Sequence, residues 1–131
     1  MYTFNIKTKD RFEIVNIDSF IREAIESSGV HNGALIVFCP HTTGAITINE
    51  NGDPDVKIDM ISAFNRISPE LSEYRHFEGN SHAHVLSSLV GASEHIIVNN
   101  GKAVLGTWQS VYFCEFDGPR NRKIHIKVLG Q

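Results

Sequence analysis

Ala34-Leu-Ile-Val-Phe-Cys39, Pro40, His41-Thr-Thr-Gly44 and Ala45-Ile-Thr-Ile-Asn49 make one unbroken stretch whose reading decides the fold. The first six residues are an apolar run of strand length, which predicts a central strand covered on both faces. Pro40 ends it, because proline has no N–H to give to a ladder. Residues 45 to 49 alternate apolar and polar, the period of a half-buried strand. Two strands therefore flank a hydroxyl-rich loop, and that loop falls at a strand end.

The same periodicities extend outward. Tyr2 to Thr8 alternates, Lys9-Asp10 can turn, and Phe12, Ile14 and Ile17 resume the apolar pattern, so a hairpin is expected. A helix opens at Ile17-Asp-Ser19, with Asp18 or Ser19 as its cap, and carries the stripe Phe20, Ile21, Ala24 and Ile25 up to Gly29. Asp53-Pro54 reads as the cap and first turn of a second helix, with Val56, Met60, Ile61, Phe64 and Ile67 on its apolar face. Ser81 can cap a third, short helix ending at Gly91. Asn99-Asn-Gly101 is a hairpin signal. Aromatic and β-branched residues from Trp108 to Phe116, and alternation from Ile124 to Val128, give the last strands. The sum is a single α+β domain over residues 1–131, with about eight strands, antiparallel hairpins dominating, and about three helices.

Composition narrows the function classes. The chain has 131 residues, 41% hydrophobic and 21% charged, as in ordinary globular domains. Its net charge of -3 argues against a nucleic-acid partner, since phosphate-backbone binders carry a basic surplus. Cys39 and Cys114 sit apart in apolar runs and read as buried free thiols. With no signal-type start and no run long enough for a bilayer, the expectation is a cytoplasmic protein without a membrane partner.

Chemistry concentrates in His76-Phe-Glu-Gly-Asn-Ser-His-Ala-His84. On a helix, residues two apart point about 200° from one another, so only one of His82 and His84 can enter a common pocket, and His84 is expected there. His41, His76 and His84 are candidate ligands for a divalent metal, zinc or magnesium, with one coordination position open. The competing reading is that these histidines simply hydrogen-bond backbone in loops. Thr42 and Thr43 can receive an anion at a strand end. In Asp117-Gly-Pro-Arg120, Arg120 can fork a phosphate, with Asp117 and Glu115 orienting it or acting as acid and base. A plain charge-closed β-turn is the alternative there. Trp108 belongs either to the core or to a heterocycle-stacking surface. No Cys-x-x-Cys, Walker loop, dinucleotide glycine motif or Gly-x-Ser-x-Gly occurs.

Together, His41-Thr-Thr-Gly44, Ile48-Asn-Glu50, Asp53-Pro-Asp55, His76 with Glu78-Gly-Asn80 and Ala83-His84, Leu105-Gly-Thr-Trp-Gln109 and Glu115-Phe-Asp-Gly-Pro-Arg120 resemble the YjbQ family. These motifs span nearly the whole chain, with His82 standing where relatives often carry an acidic residue. The resemblance implies an α+β sandwich or barrel, a homotrimer with sites near subunit boundaries, and a weak thiamine-phosphate synthase activity. In that alkyl transfer a thiazole phosphate nitrogen attacks the methylene of a pyrimidine diphosphate. It implies His84, Glu50 and Asp117 as catalytic groups. Thr42, Thr43, Asn49, Asn80, Trp108 and Arg120 would bind the small phosphorylated substrate. The other expectations are a metal-dependent hydrolase or lyase in the same pocket, and a small-anion-binding regulatory module without chemistry.

Overall fold

The computed structural model describes residues 1–131 as eight strands and three helices. In chain order these are β1 (Tyr2–Lys7), β2 (Glu13–Asn16), α1 (Asp18–Ser28), β3 (Gly33–Phe38), β4 (Gly44–Glu50) and α2 (Pro54–Ile67). Then follow α3 (Ser81–Val90), β5 (Ser93–Asn99), β6 (Lys102–Ala103), β7 (Gln109–Glu115) and β8 (Asn121–Gly130). All strand pairs are antiparallel, in a five-stranded sheet ordered β1-β8-β3-β5-β6 and a three-stranded sheet ordered β2-β7-β4. The single α+β domain read from the sequence is the fold observed.

Two apolar clusters hold the layers. The larger lies between the sheets and takes Leu35 and Val37 from β3, Ile124 and Ile126 from β8, Val111 and Phe113 from β7, and Ile17, Ile21 and Ile25 at α1. The smaller lies on the other face of the three-stranded sheet, where Tyr112, Cys114 and Phe116 meet Ala83 and Leu86 of α3, with Met60, Ile61 and Phe64 of α2 against them. Alternate residues of β7 thus feed different clusters, and every residue from Ser110 to Phe116 is buried.

The strand covered on both faces is therefore β7 and not β3. Although β3 is flanked by β8 and β5, it buries Leu35 and Val37 and leaves Phe38 43% exposed. Nothing packs on its outer face, where Ile97 and Leu129 stand opposite Ala34. The expected β1–β2 hairpin does not form either. β1 pairs with β8 and β2 with β7, so the chain changes sheets between them. The physical reason is that Ile6 serves the inter-sheet cluster and Ile14 the outer one. Asn99-Asn-Gly101 does close the β5–β6 hairpin, with Asn100 at φ 51° and Gly101 at φ 74°.

The helix ends differ in detail. Asp53 caps α2 as read, accepting the Asp55 N–H. Neither Asp18 nor Ser19 caps α1; Asp18 accepts instead from the Ser110 hydroxyl and the Val111 N–H, which fastens the helix to β7. Asn80, not Ser81, occupies the N-cap position of α3. α3 is fastened to β4 where the Ser87 hydroxyl donates to the Gly44 carbonyl at 2.6 Å. Glycine is required at 44 by space: a Cβ would stand 2.7 Å from Phe113 Cζ.

At one end the inter-sheet core stops at charge. Glu115, on the face of β7 that carries Val111 and Phe113, accepts from Arg122, which shares its face of β8 with Ile124 and Ile126. The Thr8 hydroxyl also donates to Glu115, at 2.7 Å. The pair is largely shielded from water, with Glu115 1% and Arg122 5% exposed. Removing one partner of a buried pair strands the other charge, at a cost of about 3–5 kcal/mol. Glu115→Gln is expected to lose roughly that much stability in urea denaturation. The double variant Glu115→Leu/Arg122→Met should recover part of it; equal losses would refute the ion pair as the cause.

Candidate functional site

Four chain segments meet around the Glu115–Arg122 pair: the end of β1, the loop before β4, the turn after β7 and the start of β8. Arg122 Nη2 donates to Thr43 Oγ1 at 2.8 Å, fixing the loop that carries His41 and Thr42. The Arg120 N–H donates to Thr8 Oγ1 at 2.8 Å, fixing the turn. The Arg120 side chain folds back on that turn, Nε to the Asp117 carbonyl at 2.7 Å and Nη2 to the Asp117 carboxylate at 2.8 Å. Asn80, entering α3, donates to the same carboxylate oxygen at 2.8 Å.

Above this network opens a cavity of about 420 Å³, lined by ten residues, none of them hydrophobic. His41, Thr42 and Thr43 come from the loop, His76, Glu78, Asn80 and His84 from the histidine segment, Arg120 and Arg122 from β8 and its approach, with Pro40 at the rim. Eight residues taken from three separated motifs, His41, Thr42, Thr43, His76, Asn80, His84, Asp117 and Arg120, are thus brought to one place, Asp117 through its bonds to Asn80 and Arg120. Each arginine keeps one terminal nitrogen, Nη1, without a partner in the chain, and Thr42 is exposed with its hydroxyl unpaired. These are donors positioned for an anion.

Asn49, Glu50 and Trp108 are elsewhere. β4 runs from Gly44, opposite Glu115, to Glu50, opposite Gln109. Six residue steps at about 3.3 Å put them roughly 20 Å from the cavity. Trp108 is 64% exposed and lies over Gly52 beside Glu50, so within one chain it offers the cavity no stacking face.

His82 and His84 separate as helical geometry requires. His84 lines the cavity, while His82 is buried on another side of α3, its Nε2 2.8 Å from Arg11 Nη2. Arginine only donates, so Nε2 accepts and the ring proton sits on Nδ1, which has no hydrogen-bond partner. Asn80 Oδ1 is likewise buried and unpaired.

The three histidines do not converge into a metal-ligand set, and no other three His, Cys, Asp or Glu side chains do. His76 and His84 stand edge to face with ring centroids 5.5 Å apart. His41 is tied down instead: its Nε2 lies 2.9 Å from the Lys123 N–H and 3.1 Å from the Lys123 carbonyl. Burial, and then the Arg122 charge, push the His41 pKa down, which favours the neutral ring accepting from the N–H. Partial burial works to raise the Asp117 pKa, but the hydrogen bonds from Asn80 and Arg120 and the two arginine charges outweigh it, and the net direction is down. Asp117 is thus held as a carboxylate and is a weak base; in this arrangement it orients Arg120.

Arg122 is the charged cavity residue that sequence reading passed over, while Glu78 was read as part of the histidine segment and given no role. Arg122 precedes Ile124 and Ile126 at a spacing of two, so a charge on the inward face of the last strand was the available signal. It was hidden because that strand begins at Asn121, three residues before its apolar alternation. A second hollow of about 430 Å³ between α1 and β6 contains none of the histidines.

A two-sheet α+β domain with a polar, histidine- and arginine-lined cavity at one sheet end defines the class. The chain belongs to the UPF0047 protein YjbQ-like family, whose model matches residues 2–131. It is 52% identical over 129 residues to the UPF0047 protein YugU of Bacillus subtilis (strain 168), covering 98% of each chain. It is 48% identical to a UPF0047 protein of Methanocaldococcus jannaschii, covering 99% of this chain and 94% of that one. A crystal structure of an uncharacterized conserved protein from Clostridium acetobutylicum superposes with a TM-score of 0.96 at 47% identity, covering 98% of this chain and 100% of that one.

The buried imidazole of His82 generates a pH prediction. Burial, and then Arg11, lower its pKa in the fold below the ordinary 6.5. As pH falls through that value the unfolded chain takes up a proton that the native state refuses, so stability falls with acidification. His41 acts in the same direction. Thermal midpoints between pH 8 and 5 should drop for the parent, and His82→Gln should flatten that drop. An unchanged slope would show that His82 titrates normally.

Proposed function

We propose that the cavity binds and acts on a small phosphorylated substrate. The observation that carries this reading is the pair of unpartnered Arg120 and Arg122 Nη1 groups beside the Thr42 and Thr43 hydroxyls, in a cavity without hydrophobic lining. Oriented donors of this kind stabilise a phosphate or a leaving diphosphate. Histidine is the side chain suited to exchanging a proton near neutral pH, and His84 in the first turns of α3 is the group we assign to that work.

The particular reaction is an alkyl transfer of the thiamine-phosphate synthase type. The thiazole nitrogen forms a bond to the pyrimidine's methylene carbon, the carbon–oxygen bond breaks, and diphosphate leaves with the electron pair toward the arginines. The donor set supports it; the remoteness of Trp108, Asn49 and Glu50 does not. A metal-dependent hydrolase or lyase is less well supported, because His41, His76 and His84 are not drawn together into a ligand set. The exposed apolar residues Phe38, Ile97 and Leu129 on the outer face of the five-stranded sheet support homotrimer formation, which sedimentation velocity decides. No helix is long and apolar enough to cross a membrane, and the two free buried thiols support a reducing, cytoplasmic setting.

Inorganic phosphate titrated by ³¹P NMR is expected to bind the parent and to bind Arg120→Ala roughly tenfold or more weakly, the scale of one charge-assisted hydrogen bond. With a pyrimidine diphosphate and a thiazole phosphate, the parent should form thiamine phosphate above a His84→Ala control. Phosphate binding without any product would leave a binding module; turnover abolished by a chelator would favour the metal reading.

A further inference from the structure

The cavity does not end at the arginines. A further hollow of about 530 Å³, distinct from that between α1 and β6, shares His41, Thr42 and His84 with it and continues along α3 to Ser87, Ser88, Gly91 and Ala92. The two form one groove with those three residues at its waist. Its first lobe presents arginine nitrogens. Its second lobe presents hydroxyls and backbone, and Ala92 is its one hydrophobic residue.

The hydroxyls of the second lobe are not equivalent. Ser87 donates its proton to the Gly44 carbonyl, so its oxygen faces a ligand only as an acceptor. Ser88 is exposed on α3 with no hydrogen-bond partner in the chain, and Thr42 is equally free at the waist. Hydroxyls both donate and accept, which is what a ligand bearing hydroxyls of its own requires. Sites for flat, hydrophobic ligands are lined predominantly by apolar and aromatic side chains, whereas here Ala92 and the imidazoles of His41, His76 and His84 stand among hydroxyls, arginines and backbone.

We propose that the groove takes the phosphate monoester of a polyhydroxylated small molecule, a sugar or polyol phosphate. Its phosphate lies against Arg120, Arg122 and Thr43, and its hydroxyls lie against Thr42, Ser87 and Ser88. This rests on the anion reading above and narrows its substrate class.

The test compares calorimetric affinities of the full chain for inorganic phosphate, ribose 5-phosphate and pyridin-4-ylmethyl phosphate, the last a flat heterocycle bearing the same group and no hydroxyl. Ribose 5-phosphate should bind roughly tenfold or more tightly than inorganic phosphate, the scale of two or so hydroxyl hydrogen bonds. Pyridin-4-ylmethyl phosphate should show no such gain. In Ser88→Leu, and independently in Ala92→Leu, the ratio of sugar-phosphate to phosphate affinity should fall toward one, both positions being exposed and so tolerant of substitution. Equal affinity of the parent for phosphate and ribose 5-phosphate overturns this inference and leaves the anion reading standing. A gain for the heterocycle alone overturns the ligand class. No binding of any of the three removes both.

Discussion

Glu115 ends β7 in one sheet and Arg122 begins β8 in the other, and their buried ion pair ties the two sheets where the apolar core gives out. Desolvating two charges is costly, and the arrangement answers that cost with hydrogen bonds: Thr8, Arg122 and the Asp117 N–H donate to the carboxylate, and the guanidinium donates to Thr43. Each of these partners sits on a different segment. One charge pair therefore sets the relative positions of the chain crossing from β1, the loop into β4, and the turn between β7 and β8.

That constraint is also what makes a site. The Arg120 backbone is anchored on Thr8 and its side chain on Asp117, while Asn80 brings the start of α3 to the same carboxylate. The donors facing the cavity are held by groups that are themselves held. Charge in the site is locally compensated, since each arginine has its own carboxylate, so the proposed recognition of an anion would depend on where the free nitrogens point more than on a large positive field. This agrees with a chain that is net acidic.

The three-stranded sheet carries both cores. Its middle strand, β7, buries one set of residues against the five-stranded sheet and the other against α3, so α3 and the cavity wall rest on the strand that supplies Glu115. The five-stranded sheet, by contrast, leaves its outer face uncovered, with Ile97 and Leu129 facing away from the core.

What the sequence determined by itself was local in origin. Period-two alternation gave the β1 and β4 strands, Asp53-Pro54 the start of α2, Asn99-Asn-Gly101 the β5–β6 hairpin, and the 200° separation on a helix placed His84 in the cavity and His82 outside it. The loops at 41–44, 76–84 and 117–120 were legible as polar clusters because small, charged and imidazole side chains were concentrated there. Only tertiary structure decided which strands pair, because an apolar alternation records that a face is buried and not which core receives it; Ile6 and Ile14 look alike and serve different cores. Only tertiary structure separated Asn49, Glu50 and Trp108 from the cavity, since a motif reports neighbours along the chain while a seven-residue strand carries its two ends about 20 Å apart. It also recruited Arg122, whose charge on an inward face has meaning only once Glu115 of the other sheet stands opposite it.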